Sequence, residues 1–243
     1  MQEFTRGRYR ARRASSDADR DAAASLRHLA FKGTDGRDCD AYDAVCIQIL
    51  IEDTQADQLV ACFRIMTLGS GSDISQSYSA QFYDLESLKA FQGPIVEMGR
   101  FCMHPDVHDP DILRIAWGAL TAYVDQQGVQ LLFGCSSFRG TEVGDYLDAF
   151  TVLRQRHLAP RRWLPRVKAP QVFRFARLLR RTPDLKLAQL KMPPLLRTYL
   201  LMGGWVSDHA VVDRQMNTLH VFTGLEISAI PEARKRLLRA VAS

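Results

Sequence analysis

Residues 95–106 read IVEMGRFCMHPD, and the fold turns on how this stretch is laid out. Its apolar run is of the kind that becomes a buried strand, yet it carries Glu97 and Arg100 near its middle. Charged groups are costly to bury unless they are paired or used. On a regular strand side chains alternate, so these two point to opposite faces. A bulge brings them to one face, and Gly99 between them tolerates one. Two readings stay open. One is a salt-bridged strand end; the other is a catalytic carboxylate beside backbone N–H groups freed by the bulge.

The neighbouring segments alternate between helix and strand patterns. DADRDAAASLRHLAF (17–31) reads as a helix, Ala-rich with Asp at its start. AVCIQILI (44–51) and LVACFRIM (59–66) are strand-type runs joined by polar residues, a hairpin signal. A Gly/Ser loop (68–79) and a short helix around DLESLKAF precede the strand at 95. Behind it, Asp109 as N-cap, Pro110 at the first position and Gly128 at the end punctuate a helix. A strand at 129–137, a helix at 142–158, a helix from 193, a strand at 217–227 and a closing helix begun by a proline follow. The order is α/β. The simplest organisation is one domain, 1–243, with a basic helical insertion or arm at 154–191.

The 243 residues are 47% hydrophobic and 24% charged, a soluble globular balance with enough apolar material for a core. No run approaches the roughly 20 apolar residues of a membrane span. The basic N-terminus lacks the apolar core of a secretory signal, so a cytoplasmic location is expected. The five cysteines are scattered, without a CxxC pair, and the six histidines lack zinc-ligand spacing. Neither a structural metal nor disulfides are expected. Charge is uneven: between Arg154 and Lys191 there are twelve Lys/Arg and one acid, while the whole chain is +5. That half suits an acidic partner.

Helix, hairpin, strand with a bulge signal, helix, strand, helix is the layout of the GNAT acyltransferase fold. LRHLAF (26–31), DCDAYD (38–43), CFRI (62–65) and VEMGRF (96–101) resemble blocks of the acyl-homoserine-lactone synthases. LLFGCSSFRGT (131–141), PPLLRTYLLMGG (193–204) and NTLHVFTGL (217–225) resemble the bacterial ornithine Nα-acyltransferases of ornithine-lipid synthesis. That resemblance runs from about residue 20 to the end. It implies a GNAT-like fold, a central mixed sheet flanked by helices with a basic helical segment in the C-terminal half. It also implies transfer of a (3-hydroxy)acyl group from acyl carrier protein to the α-amino group of ornithine, the first step of aminolipid synthesis. No permanently bound cofactor is implied; the acyl-phosphopantetheine of the carrier is the donor.

One departure from the superfamily has a physical reading. Acetyl-CoA-dependent members cradle the pyrophosphate on a glycine-rich loop at a helix start. The equivalent stretch here, DVHDPDILRIAW, has no glycine, a proline without its N–H, and Asp106, Asp109 and Asp111 nearby. Three carboxylates repel a pyrophosphate, so a carrier-protein donor fits better. VFRFARLLRR (172–181) has Arg174, Arg177 and Arg180 at helical spacing, with Arg181 next, and reads as a basic amphipathic helix. It suits docking of an acidic carrier protein or an anionic membrane surface. Nucleic acid ranks last because no recognition motif accompanies the charge. A solvated face without a partner is the plain alternative.

The resemblance implies a site. Glu97 is the general base for the acceptor amine, and backbone N–H groups near Gly99 and Arg100 stabilise the oxyanion. Arg27, Arg64 and Arg100, with Asp40 and Asp43, match the lactone-synthase pattern. Together with Glu97 they make three guanidiniums and three carboxylates that shape the pocket and hold the substrate carboxylate. Fold-stabilising ion pairs are the alternative for each. Phe31 and Phe101 wall the pocket, and the small residues Cys135, Ser136 and Ser137 let a pantetheine arm approach. Cys102 and Cys135 read as buried thiols rather than nucleophiles, since no orienting acid accompanies His104 or His108. In the last strand an ornithine enzyme is expected to carry Thr-Ala-Asp, where this chain has Thr218-Leu219-His220. If that acid contacts the ornithine ammonium, His220 removes the attraction and glutamine becomes a plausible acceptor; otherwise position 220 faces solvent. Two further functions stay open: lactone synthesis, disfavoured by the last 50 residues, and a non-catalytic basic membrane- or nucleic-acid-binding module.

Overall fold

The computed structural model describes residues 3–242. Its strands and helices run, in chain order, β1 (Phe4–Arg6), β2 (Tyr9–Arg13), α1 (Asp17–Lys32), β3 (Ile47–Asp53), β4 (Gln58–Leu68), β5 (Tyr83–Asp84), β6 (Ile95–Met103) and α2 (Pro110–Gln127). Then come β7 (Leu131–Arg139), α3 (Leu147–Arg156), β8 (Arg166–Val167), β9 (Val172–Phe173), α4 (Phe175–Leu178) and α5 (Leu185–Lys191). The chain closes with α6 (Pro194–Leu201), β10 (Trp205–Val206), β11 (Ala210–Asp213), β12 (Thr218–Glu226) and α7 (Glu232–Ala242). By packing, the chain forms two compact units. One holds the residues up to Thr67, Val96–Val129 and those from Glu232; the other holds Leu68–Ile95 and Gln130–Pro231.

In the first unit the strands are ordered β1-β2-β3-β4-β6, and β1 to β4 form an antiparallel meander. Leu50 on β3 faces α1, packing with Ala23, Leu26, Cys62 and Cys102. Side chains alternate, so Ile49 and Ile51 face the other way, and both are fully buried. On that face Tyr9, two residues from the Ala11 that pairs with Ile51, donates its hydroxyl to Asp109 Oδ2 at 2.7 Å. This contact fastens the N-terminal hairpin, which has no clear alternating pattern in the sequence, to the start of α2.

In this unit α1 and α2 are capped as their sequences dictate. Ser16 and Asp19 make a reciprocal capping box on α1, and Gly33 ends it in the left-handed region. Asp109 accepts the N–H of Asp111 at 2.8 Å. Pro110 opens α2 and Gly128, at φ +62°, closes it. α7 packs on α2, where Arg239 Nε lies 3.0 Å from Asp125.

Where a bulge is expected at Gly99, β6 carries instead a left-handed residue one position later. Arg100 takes φ +53°, whereas Gly99 stays in the ordinary strand region. The other non-glycine residues with positive φ among those described, Asp57 and Asn217, lie between paired strands. Arg100 is left-handed inside a strand, a conformation costing an L-residue about 1 kcal/mol.

The second unit orders its strands β7-β12-β11-β9, with β10 also on β12 and β5 paired with β8. β7 and β12 are antiparallel over nine residue pairs, from Thr218 opposite Arg139 to Glu226 opposite Leu131. Phe138, Leu219 and Val221 from this pair meet Phe150, Phe175 and Leu196 in the core.

The continuous helix expected over 172–181 is not formed. Val172 and Phe173 pair with Val211 and Ala210 as a short strand, and a single helical turn, α4, follows. Phe175 is fully buried in the core. Strand pairing plus burial of one aromatic overrides the helical spacing of the arginines, and Pro183 blocks continuation. The basic segment is helical only in short pieces, α4 and α5.

Candidate functional site

The site candidates of the first unit gather on a loop, a helix and two strands. Asp38 is tied to α1 by its backbone N–H, which donates to Ala24 O at 3.0 Å. Asp40 then caps a single 3-10 turn, Ala41–Ala44, with Asp43 closing the box from inside. The DCDAYD block is therefore a compact loop that aims three carboxylates at one place.

Three arginines converge on them. Arg27 of α1 grips Asp43 with two parallel hydrogen bonds, at 2.7 and 2.8 Å, donates to Asp38 O, and lies 3.1 Å from the Asp38 carboxylate. Arg64 of β4 grips Asp40 the same way at 2.6 and 2.8 Å and reaches Asp43 at 3.0 Å. Arg100 of β6 spans Asp40 and Asp38, each at 3.1 Å. Gln48 of β3 completes the network by donating to Asp43 at 2.9 Å, and the Arg64 guanidinium lies over the Tyr42 ring.

The geometry sets the charge states. Burial pushes the Asp43 carboxyl up, but the hydrogen bonds from Arg27 and the Asp40 N–H outweigh it and hold its pKa at about 2. Asp40 is held low likewise, burial opposing and Arg64 prevailing. Burial works against the charge of Arg27 and Arg64 too, and their carboxylate partners still raise both pKa values. The network thus sets Arg27, Arg64 and Arg100 against Asp38, Asp40 and Asp43. Asp38 joins the network as a further carboxylate, one not among the sequence candidates. Its signal was present in the quoted DCDAYD block, where it stands two residues before Asp40.

Glu97 is 4% exposed. A Cβ at Gly99 would stand 3.7 Å from Arg64 Nε, so the Arg64 stem lies over Gly99. Glu97, two residues earlier, shares that face of β6. It is also near Cys46, whose thiol burial pushes up to about 11, with the Glu97 charge adding and Arg64 opposing. The left-handed turn at Arg100 swings its guanidinium to Asp40, the carboxylate that Arg64 holds. Glu97 and Arg100 thereby address one network from one strand.

The remaining candidates are placed as follows. Phe31 packs against the cluster of Leu26, Leu50, Cys62 and Cys102, and Phe101 lies 6.2 Å from the Phe63 ring. Cys102 is buried with its Sγ 3.5 Å from Cys62, and that contact and burial push its thiol pKa up. In the second unit, Cys135 lies 3.4 Å from the Ser79 hydroxyl, while Ser136 accepts from Thr223 at 2.8 Å. Alternation puts Cys135 and Ser137 on one face of β7 and Ser136 on the other, the face of Phe138. Arg174, Arg177, Arg180 and Arg181 are exposed, with Arg181 paired to Asp148 at 2.9 Å.

His220 also belongs to the second unit, and the solvent-facing alternative for it is overturned. It is buried, its Nδ1 3.1 Å from the Tyr83 hydroxyl, edge-on to Phe82 at 4.9 Å. Burial lowers its pKa to about 4, so it is neutral at pH 7 and carries no attraction for an ammonium.

The comparisons with known proteins agree on an acyltransferase. A GNAT acetyltransferase domain model matches residues 24–118. An L-ornithine Nα-acyltransferase of Rhodobacter capsulatus is 33% identical over 179 residues, covering 74% of this chain and 68% of the relative. The enzyme of the same name from Brucella abortus is 27% identical over 242 residues, covering 92% and 86%. Among solved structures, FeeM, an N-acyl amino acid synthase from uncultured soil microbes, superposes with a TM-score of 0.51 at 12% identity, covering 97% of each chain. The fold is thus that of the GNAT-like acyltransferases, and the chain is an enzyme.

Proposed function

The chain belongs to the L-ornithine Nα-acyltransferase family, and from that premise we propose how this amino-acid Nα-acyltransferase uses its residues. The acceptor α-amine is protonated at neutral pH and cannot attack until it loses a proton. Glu97 accepts that proton, directly or through a water. The amine then attacks the thioester carbonyl and forms the new C–N bond. Backbone N–H groups at the Gly99–Arg100 turn donate to the oxyanion. The intermediate collapses with cleavage of the C–S bond, and the departing thiolate takes up a proton. The observation that carries this reading is Glu97, 4% exposed, on the β6 face against which Arg64 rests.

The three arginines divide the work. Arg27 and Arg64 are the more deeply buried and are positioning residues. Arg100, 12% exposed at its side chain, is the most accessible of the three and holds the acceptor carboxylate. Phe31 and Phe101 border the same region. The chain works as one acyltransferase domain over 1–243, and the small side chains of Cys135 and Ser137 on β7 leave room for a pantetheine arm.

The donor is an acyl carrier protein. The N-terminus of α2, where a pyrophosphate would bind in a CoA-dependent relative, is capped by the carboxylate of Asp109, with Asp111 in its first turn. A phosphate there meets two negative charges instead of open N–H groups. The basic 154–191 segment suits the acidic carrier. Ornithine is the acceptor by family and glutamine the rival, since the neutral His220 offers no charge to an acceptor ammonium. The reaction runs on the cytoplasmic side, with product delivered to the membrane.

The test supplies purified protein with 3-hydroxyacyl carrier protein and ornithine, glutamine or S-adenosylmethionine in parallel, and follows thiol release. Turnover with an amino acid is expected. Turnover with S-adenosylmethionine alone would make the chain a lactone synthase, and none with any acceptor would remove the proposed reaction.

A further inference from the structure

The basic segment of the second unit carries a second feature that charge alone does not explain. Leu178, Leu185 and Leu190 are 61%, 51% and 77% exposed. Isolated surface leucines are common, but these three fall within thirteen residues that also contain Arg180, Arg181 and Lys186, with Lys191 next. Helix geometry makes the exposure deliberate. On α5, Ala188 is buried and α5 packs on α3. Two residues on, Leu190 lies about 200° around the helix axis and points away from the core. Lys186, one turn before Leu190, shares its outward side.

The two leucine-bearing turns are held rigidly. Asp148 of α3 accepts the backbone N–H of Asp184 at 2.9 Å and pairs with Arg181 at 2.9 Å. Asp184 in turn caps α5 through the N–H groups of Lys186 and Leu187. The only acid in the segment is thereby engaged in the cap. The result is an anchored segment in which exposed leucines and exposed cations are interspersed.

We propose that the exposed segment 177–191, which presents Leu178, Leu185 and Leu190 among Arg177, Arg180, Lys186 and Lys191, is a membrane-docking surface for anionic lipid, with leucines inserted among the acyl chains. Leucines immersed in hydrocarbon and cations at the headgroup level match the two layers of an anionic bilayer interface. An acidic carrier protein would satisfy the cations and leave Leu190 facing water at the rim. The proposal rests on the lipid-forming acyltransferase reading, because a product bearing an acyl chain gives the enzyme reason to work at a bilayer.

The experiment uses the full chain and liposomes of phosphatidylcholine with or without phosphatidylglycerol. Sedimentation is expected to show binding only with the anionic lipid, and Leu178→Ser/Leu190→Ser to weaken it at least tenfold. Leu190→Trp is expected to blue-shift its fluorescence on adding anionic vesicles and to be quenched by brominated acyl chains. Vesicle binding indifferent to the leucine substitutions, or a Leu190→Trp emission that does not shift, overturns the proposal. Loss of acyl-carrier affinity in the leucine variants, with vesicle binding retained, assigns the face to the carrier and overturns it as well. Because binding is read without turnover, an inactive preparation that still inserts Leu190→Trp separates failure of the acyltransferase reading from failure of this one.

Discussion

Arg27 and Asp43 meet in a two-point fork, Nη1 to Oδ1 at 2.7 Å and Nη2 to Oδ2 at 2.8 Å. The guanidinium is 2% exposed, so its partner cannot be replaced by water. Removing one side of such a pair leaves a buried charge uncompensated. Asp43→Ala is expected to lose roughly 3–5 kcal/mol of stability in urea titration. The double variant Arg27→Met/Asp43→Leu should lose less than Asp43→Ala alone. Additive losses would show that the fork is not one unit.

Glu97→Gln keeps size and hydrogen-bonding capacity but cannot accept the amine proton. We expect turnover of acyl carrier protein with amino acid to fall by about 10² or more, with KM for the acceptor little changed and the melting temperature preserved. Near-normal kcat would remove Glu97 from the role of base.

At position 100 the backbone and the side chain make opposite demands, since φ is +53°. Arg100→Gly and Arg100→Ala both lose the guanidinium, but only alanine retains the left-handed strain. The glycine variant should therefore be the more stable of the two by about 1 kcal/mol, the reverse of the usual order within a strand. Both should raise the acceptor KM. Gly99→Ala, whose new Cβ meets Arg64 at an ordinary 3.7 Å, should be tolerated. Stability measurements on the three variants test where the strand is strained.

His220 makes folding stability depend on pH. Its folded pKa is lowered from 6.5 to about 4 by burial, so the unfolded chain takes up the proton first as pH falls. Its contribution is complete above pH 6.5 and is lost on the way down to pH 4, amounting to roughly 3 kcal/mol. Asp43, held at about 2, adds a second loss between its unfolded pKa of 3.8 and pH 2. His220→Gln should flatten the upper limb of the curve and leave the lower one. Equal slopes in both proteins between pH 6.5 and 4 would contradict the burial account.

The sequence disclosed elements whose signals are local. α2 was legible because Asp109, Pro110 and Gly128 each act on the backbone within a turn of where they stand. The helix misread at 172–181 has arginines three apart, yet what decides it is a partner strand near residue 211 and a core slot for Phe175. Neither is visible in a window of ten residues. The N-terminal hairpin depends likewise on Tyr9 finding Asp109, a hundred positions away. At the site, the arginines and Asp40 and Asp43 were legible through the resemblance. Asp38 stands in the same block, but its place in the network depends on how the loop folds back on α1.

The unit that carries Glu97 and the arginine network is assembled from three separate stretches of chain, the last beginning at Glu232. A ribosome therefore releases α7 only after the whole of the other unit has been made. Until then α2 lacks the neighbour it has in the finished protein, and the hairpin at the start of the chain has waited through more than a hundred residues for Asp109. The unit with the arginine network is therefore completed only after the other unit has been made, while most of that other unit, contiguous from Gln130 to Pro231, emerges in one piece. Shortening the chain at its C-terminus is therefore expected to impair the arginine-network unit first.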